Sequence, residues 1–311
     1  MSDRDIVIFA NPIAGRGRGR AIAGSLARAL RAAGFRPVVL LERPDQISRE
    51  QIAPDTRAAI AIGGDGTIRG VARHLYTHCM DADNSDAPAP PLLIVPMGTA
   101  NLLGKHLGIK WDHRTLADQI VDAIRRMIVV HIDTACLNDQ LFLLMAGVGM
   151  DAHIIHELDR VRRGPITLAS YFMPAVNALG LYHYPPLTVS IDHKVVCSNL
   201  PAVAMVGNVA EYGVGFSILP HARPDDGLLD VCVLPCRTRL EAAKLFLLAA
   251  GGEHIGAEGV IYAKGKVIRI ESPEAVPVQV DGEAAGHTPI DIRLLRVRVP
   301  FIVPATEGGR Q

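Results

Sequence analysis

The segment that most limits what this chain can become is Gly63-Gly64-Asp65-Gly66-Thr67, which directly follows the apolar run Ala58 to Ile62. Three glycines so close together forbid a regular strand or helix and permit a main-chain loop that wraps an anion. The apolar run before it reads as a buried strand, and the pattern from Ile68 to His78 reads as a helix. Strand, loop and helix then stand in the order that phosphate binding requires at the edge of a parallel sheet. Asp65 is suited to organising Mg2+ or a reacting hydroxyl, and Thr67 to donating to a phosphate or capping the helix. The plainer alternative is a glycine turn with a capping threonine.

The same order occurs twice more. Ile6 to Ala10 is a strand, Asn11 to Arg20 (NPIAGRGRGR) a glycine-rich basic turn, and Ala21 to Ala33 a helix ending at Gly34. Glycines let backbone N–H groups approach a phosphate and the arginines add charge, although without a Gly-Lys-Ser/Thr ending this is no Walker A loop. A solvated basic loop fits it equally well. Leu92 to Val95 is a buried strand followed by Pro96-Met97-Gly98-Thr99-Ala100-Asn101-Leu102-Leu103, which also reads as a helix cap. In an open parallel sheet the loops at the carboxyl ends of the strands line one crevice, so the three segments are expected to converge. Pro37 to Leu41 supplies another strand, Leu116 to Met127 an amphipathic helix, and Asp81 to Pro91 a polar, proline-rich loop.

From Ile128 onward the text changes to short Val-, Ile- and Leu-rich runs separated by Gly, Asn, Asp and Pro, as in an antiparallel sandwich. The runs are Ile128 to Thr134, Leu141 to Ala146, Leu187 to Ile191, Ala202 to Gly207, Leu229 to Leu234, Val267 to Glu271, Val276 to Val280 and Ile292 to Val299. Helical insertions are expected at Ile166 to Leu181 and Leu240 to Ala250. The reading is an α/β domain over 1–127 and a β-sandwich domain over 128–311, with the tail able to return to the first domain.

Lys plus Arg and Asp plus Glu both total 32, so there is no global positive field to hold nucleic acid. Apolar stretches fall well short of the roughly 20 residues that span a bilayer, and the N-terminus lacks the pattern of a signal peptide, which predicts a cytoplasmic protein. The five cysteines are scattered without zinc-ligand spacing and read as reduced thiols, and His153 and His156 lack a third ligand.

The order Asn11-Pro12…Gly15, GGDGT at Gly63 to Thr67 and PxGTxN at Pro96 to Asn101 resembles the catalytic domain shared by bacterial lipid kinases, eukaryotic diacylglycerol kinases and sphingosine kinases. The likeness continues through Gly147-Val148-Gly149-Met150-Asp151-Ala152 (GxGxDA), Asp226-Gly227-Leu228-Leu229-Asp230 (DGxLD) and Asp281-Gly282-Glu283 (DGE), and so covers nearly the whole chain. GGDGT also occurs in NAD kinases, but the Asn-Glu pair and the Thr-Gly-Ser-Thr-Ala-Tyr run of those enzymes are absent. After Asn101 the residues Leu102-Leu103-Gly104-Lys105 depart from the commonest lipid-kinase pattern, which bears on the acceptor.

The resemblance implies an NAD-kinase-like, flattened Rossmann-like α/β domain, a β-sandwich domain, and a reaction in the cleft between them. Carried over residue by residue, Gly63, Gly64, Asp65, Gly66, Thr67 and Thr99 bind the ATP phosphates, with Asn11, Gly15 and Asn101 in the same loop layer. Asp65 also belongs to a Mg2+-linked acidic network, and Glu283 is the general base for the lipid hydroxyl; as a bare motif, Asp281-Gly282 is equally a hairpin turn. In bacterial relatives the DGxLD segment holds a structural Mg2+ or Ca2+ through a carboxylate and main-chain carbonyls, which map to Asp226, Arg223 and Leu228. A type I turn is the alternative there.

Lipid-binding elements are implied near Asp151, beside the headgroup. Arg160, Arg162 and Arg163, just before the apolar run Ile166 to Leu181, suit a peripheral membrane contact, or a core helix flanked by a basic turn. The chain is thus read as a lipid kinase using ATP and Mg2+. Its rivals are a soluble-acceptor kinase, NAD above all, and a catalytically silent regulator that binds nucleotide and lipid. Diacylglycerol, monoacylglycerol, a sphingoid base and phosphatidylglycerol all stay open as acceptors, and exposed sheet edges allow a homodimer.

Overall fold

Nearly unbroken apolar runs set the first sheet. Strands β1 (Asp5–Ala10), β2 (Arg36–Leu40), β3 (Ala58–Gly63) and β4 (Leu92–Pro96) pair in parallel in the order β2-β1-β3-β4. Every residue of β3 is buried, as a central parallel strand covered on both faces requires. The last strand of the chain, Ile290–Ile302, adds in parallel beside β4, with Phe301 opposite Leu92.

The computed structural model describes residues 5–12, 14–42, 46–47, 52, 56–76, 89–98, 100–160, 181–212 and 216–305. By its contacts the chain divides into one unit of Met1–Ile132 with Arg296–Gln311 and a second of Asp133–Leu295. The boundary expected at Met127 coincides with the end of a helix, whereas the division falls inside the strand that follows, Val129–Leu137.

In the first unit the helices are α1 (Ala14–Gly17), α2 (Gly19–Ala32), α3 (Asp65–Tyr76), α4 (Leu102–His106) and α5 (Leu116–Arg126). Ala23, Leu26, Ala27 and Leu30 repeat at helical spacing on α2 and join Ile120, Ala123 and Ile124 of α5 in a core over β1 and β3. Sequence periodicity starts the second and third of these helices at Ala21 and Ile68, but they begin earlier, inside the glycine runs. The cause is a tight entry turn: the amides of Thr67 and Ile68 both reach the Gly64 carbonyl, at 2.9 and 3.0 Å. The glycine motif is therefore the first turn of α3.

In the second unit the strands are β5 (Val129–Leu137), β6 (Gln140–Phe142), β7 (Met145–Val148), β8 (Pro186–Ile191), β9 (Lys194–Gly207), β10 (Leu229–Pro235), β11 (Ile261–Gly265), β12 (Val267–Glu271), β13 (Pro277–Val280), β14 (Glu283–His287) and β15 (Ile290–Ile302). Strands β5 and β15 cross the division between the units. The first half of β9 pairs antiparallel with β8, and the second half, from Ala202, with β7 and β10. The change of partners falls at Pro201, which has no N–H to give to a ladder. Two antiparallel layers result, one running β9-β8-β12-β15 and the other β14-β13-β7-β9-β10-β11. Leu187, Val189, Ile268 and Ile270 face Ala204, Val206, Val231 and Val278 in one core, which is the expected sandwich.

Helix α6 (Met150–Arg160) follows β7, and α7 (Arg239–Ala250) follows β10. The Thr238 hydroxyl caps α7 by accepting from the Glu241 amide at 3.1 Å. Leu181 excepted, the helix expected over Ile166 to Leu181 lies outside the described residues. Among the described residues no helix is long and apolar enough to cross a membrane.

Helix α2 ends as its sequence implies: Gly34 sits at φ +90° and the Phe35 amide returns to the Leu30 carbonyl at 2.9 Å. Gly34→Ala keeps every contact but puts a Cβ into left-handed backbone. It should lower the urea unfolding free energy by about 1–2 kcal/mol with an unchanged m-value.

Candidate active site

The three glycine-bearing segments of the first unit converge. The Met97 amide bonds the Gly63 carbonyl at 2.8 Å, and the Asn11 amide bonds the Ile62 carbonyl at 3.1 Å. Asn11 Nδ2 reaches Thr67 Oγ1 at 3.5 Å. A Cβ on Gly98 would lie 2.7 Å from the Gly64 Cα, and one on Gly64 would lie 3.1 Å from the Gly98 Cα, so the two loops touch backbone to backbone. Gly15, at φ +58°, lies against Met97, with only 2.1 Å between an added Cβ and Cε.

Asp65 locks two of these loops together. Its Oδ2 accepts the Leu102 amide at 3.1 Å and its Oδ1 the Leu103 amide at 3.3 Å, so it caps α4 from another segment of the chain. Asn101, the residue before α4, makes no cap of its own. It sits in left-handed backbone at φ 49° and clasps Gly98, accepting that amide at 2.7 Å and donating to its carbonyl at 2.8 Å. Burial pushes the Asp65 carboxyl up from its ordinary pKa, against the amides of Leu102 and Leu103.

The Asp65 and Gly66 amides open α3 with no helical carbonyl before them, and such amides are donors a phosphate can accept. Thr99 lies outside the described residues. Among the described residues no three His, Cys, Asp or Glu groups gather as a metal site.

In the second unit, Asp281 (φ 48°) and Gly282 (φ 79°) form the two-residue turn between β13 and β14. The Asp281 carboxylate accepts the amides of Leu143, Leu144 and Met145 at 3.1, 2.9 and 3.0 Å. Glu283 is the first residue of β14 and is exposed. Asp281-Gly282 is thus a hairpin turn that also carries Glu283.

Gln279, which the sequence reading passes over, connects this turn to Asp151. Its Oε1 accepts the Gly282 amide at 2.9 Å and its Nε2 donates to Asp151 Oδ2 at 3.1 Å. Asp151 opens α6 and is 5% exposed, and its Oδ1 has no hydrogen-bond partner. Burial pushes its carboxyl up to about 6, against the Ala152 amide and the Gln279 side chain. Gly147 has to be glycine, since a Cβ there would stand 2.1 Å from Asp151 Oδ2.

The DGxLD segment precedes β10. Asp226 Oδ1 accepts the Leu228 amide at 3.1 Å and Oδ2 takes the Lys264 ammonium at 2.8 Å, while the exposed Arg223 lies 4.0 Å from Asp225. Asp133, another residue the sequence reading omits, holds the turn from β5: its Oδ2 accepts the Gly227 amide at 2.7 Å and its own amide bonds the Pro224 carbonyl. Gln279 had one legible signal, a polar residue between two valines of β13, whereas Asp133 sits in a strand that His131 and Thr134 also interrupt. Lys264 had none. At the end of α6, Arg160 pairs with Glu157 at 2.7 Å, and Arg162 and Arg163 lie outside the described residues.

Comparison with known proteins gives the class. Residues 5–132 match the diacylglycerol kinase catalytic domain and residues 145–303 match the YegS C-terminal NAD kinase beta sandwich-like domain. The chain is 25% identical to a diacylglycerol kinase of Staphylococcus carnosus over 258 residues, covering 83% of this chain and 80% of that protein. It is 26% identical to an uncharacterized protein of Synechocystis, of which it spans 59%. A crystal structure of a diacylglycerol kinase from Bacillus anthracis superposes with a TM-score of 0.72 at 26% identity, covering 97% of both chains. The chain belongs to the diacylglycerol kinase catalytic-domain family with a YegS-type sandwich. Its class is that of the ATP-dependent lipid kinases, which work with a divalent metal ion.

Two outcomes follow from this geometry. Gly98→Ala forces the Gly64 and Gly98 backbones apart and should lower kcat/KM for ATP by about 100-fold or more, read by initial-rate kinetics, with the circular dichroism spectrum unchanged. Asp151 carries the second. Its native carboxyl keeps a proton to higher pH than in the unfolded chain, so stability falls as pH rises from about 4 to about 6. Asp151→Asn should abolish that fall, making the variant about 2 kcal/mol less sensitive to the pH 4.5 to 7.5 change in urea titrations.

Proposed function

We propose that this chain transfers the γ-phosphate of Mg·ATP to a free hydroxyl of a diacylglycerol-like lipid at a membrane surface. What supports phosphoryl transfer most strongly is the convergence of the loops after β1, β3 and β4 through the Gly64 and Gly98 backbones. What supports the lipid is the similarity to proteins named diacylglycerol kinase.

In this reading the amides of Gly63 to Gly66, with Thr67 and Thr99, cradle the phosphates, and Asn11, Gly15 and Asn101 keep the loops at the spacing the nucleotide needs. Asp65 is a positioning residue, since both its oxygens hold backbone amides. A divalent ion bound with the nucleotide would supply charge neutralisation at the phosphates that the Gly63 to Gly66 amides hold. Glu283 is the general base: its carboxylate takes the lipid hydroxyl proton as the new O–P bond forms and the bond from Pγ to the ADP oxygen breaks. Asp151, through Gln279, holds the turn beneath Glu283 and meets the lipid headgroup.

The test is labelled phosphate transfer from Mg·[γ-32P]ATP to mixed micelles containing diacylglycerol, monoacylglycerol, a sphingoid base or phosphatidylglycerol, with NAD in a parallel reaction. Label should enter diacylglycerol. Glu283→Gln should lower kcat by roughly 100- to 10,000-fold and leave ATP affinity unchanged. Label in NAD alone would replace this reading with a soluble-acceptor kinase, and a fully active Glu283→Gln would remove that residue from the chemistry.

A further inference from the structure

The turn before β10 closes around a positive charge that belongs to the chain itself. Lys264 Nζ stands 2.8 Å from Asp226 Oδ2, 3.1 Å from Asp230 Oδ2 and 3.2 Å from the His221 carbonyl oxygen. Two of these contacts are hydrogen bonds, to Asp226 and to the His221 carbonyl, and the third is an ion pair with an Asp230 oxygen that accepts no hydrogen bond.

The rest of the cluster holds those oxygens in place. Asp230 is fully buried, and its other oxygen accepts the Tyr262 hydroxyl at 2.6 Å. The second oxygen of Asp226 accepts the Leu228 amide. Lys264 lies directly opposite Asp230 in the β10/β11 ladder, and Tyr262, two residues earlier, projects from the same face of β11.

We propose that Lys264 takes the place of a structural divalent cation at the turn 221–228, so that this turn folds without metal. Two carboxylates and a main-chain carbonyl are the oxygen-only donors that Mg2+ or Ca2+ favours. The ammonium already lies among them, and a divalent ion entering the same space would meet its charge at contact distance. The lysine's hydrogen bonds go to Asp226 and the His221 carbonyl, and none goes to the carbonyls of Arg223 and Leu228, the other donors expected of a metal site here. The proposal is independent of which acceptor the enzyme phosphorylates.

The test uses the full-length, nucleotide-free protein. Thermal melts of the native chain in excess EDTA, MgCl2 and CaCl2 should coincide. Lys264→Ser removes the ammonium and leaves the buried Asp230 facing Asp226. It should melt on the order of 5–10 °C lower in EDTA and recover saturably as Ca2+ or Mg2+ is added. Three results would overturn the proposal. One is a native melt that drops in EDTA and loses that sensitivity in Asp226→Asn, which would show a resident metal. Another is a serine variant as stable as the native chain in EDTA. The last is a destabilised variant that neither ion restores, which would make Lys264 an ordinary ion-pair partner. Should Lys264→Ser fail to fold, the native melts together with Asp226→Asn still decide between an internal and an external cation.

Discussion

The first unit depends on one close approach of main chain to main chain, Gly64 against Gly98. A Cβ on either would stand about 3 Å or less from the other's Cα. Side chains elsewhere on those loops can vary, but these two positions set the distance between the turns after β3 and β4. Asp65 makes that arrangement specific, because its carboxylate caps the helix α4 that begins after the second turn. A family motif residue expected to serve a metal thus spends both oxygens on backbone amides. Its burial is tolerable because those amides replace the water it loses.

The second unit applies the same device with other residues. Asp281 holds three consecutive amides of the segment entering β7, as Asp65 holds two of α4. Behind it, Gln279 joins the turn to Asp151, with one amide oxygen and one amide nitrogen each used once. In both units a short carboxylate next to a glycine fastens a turn to a distant segment, and the neighbouring residues are left exposed for other work. Partly satisfied buried polar chains of this kind are costly, and the lone oxygen on Asp151 is where that cost is visible.

Much of the fold was legible because it rests on local patterning. Uniformly apolar runs before glycine turns named β1, β3 and β4, and the 3.6-residue period named α2 and α5. Gly34 marked the end of α2. The less legible parts lack a strong local signal. The half of β9 from Lys194 to Asn199 mixes exposed Lys194, Val195, Ser198 and Asn199 with a buried Cys197, and β14 is almost wholly exposed, so neither shows an apolar period. Helices α2 and α3 start earlier than their periodicity indicates because glycines supply no side chain from which a period can be read.

The chain's own text determined the architecture, the glycine loops that approach one another and the residue types available for phosphoryl transfer, because these follow from spacing, chirality and the conformational freedom of glycine. Tertiary structure decided what each polar group does. Asp65 and Asp281 became clamps because their partners lie about 37 and 137 residues away, as Leu102 and Leu144 show. Lys264 came to rest between Asp226 and Asp230 because β11 pairs with β10 in one register. A hydrogen bond or an ion pair is settled by a distance of about 3 Å in space, and separation along the chain carries no information about that distance.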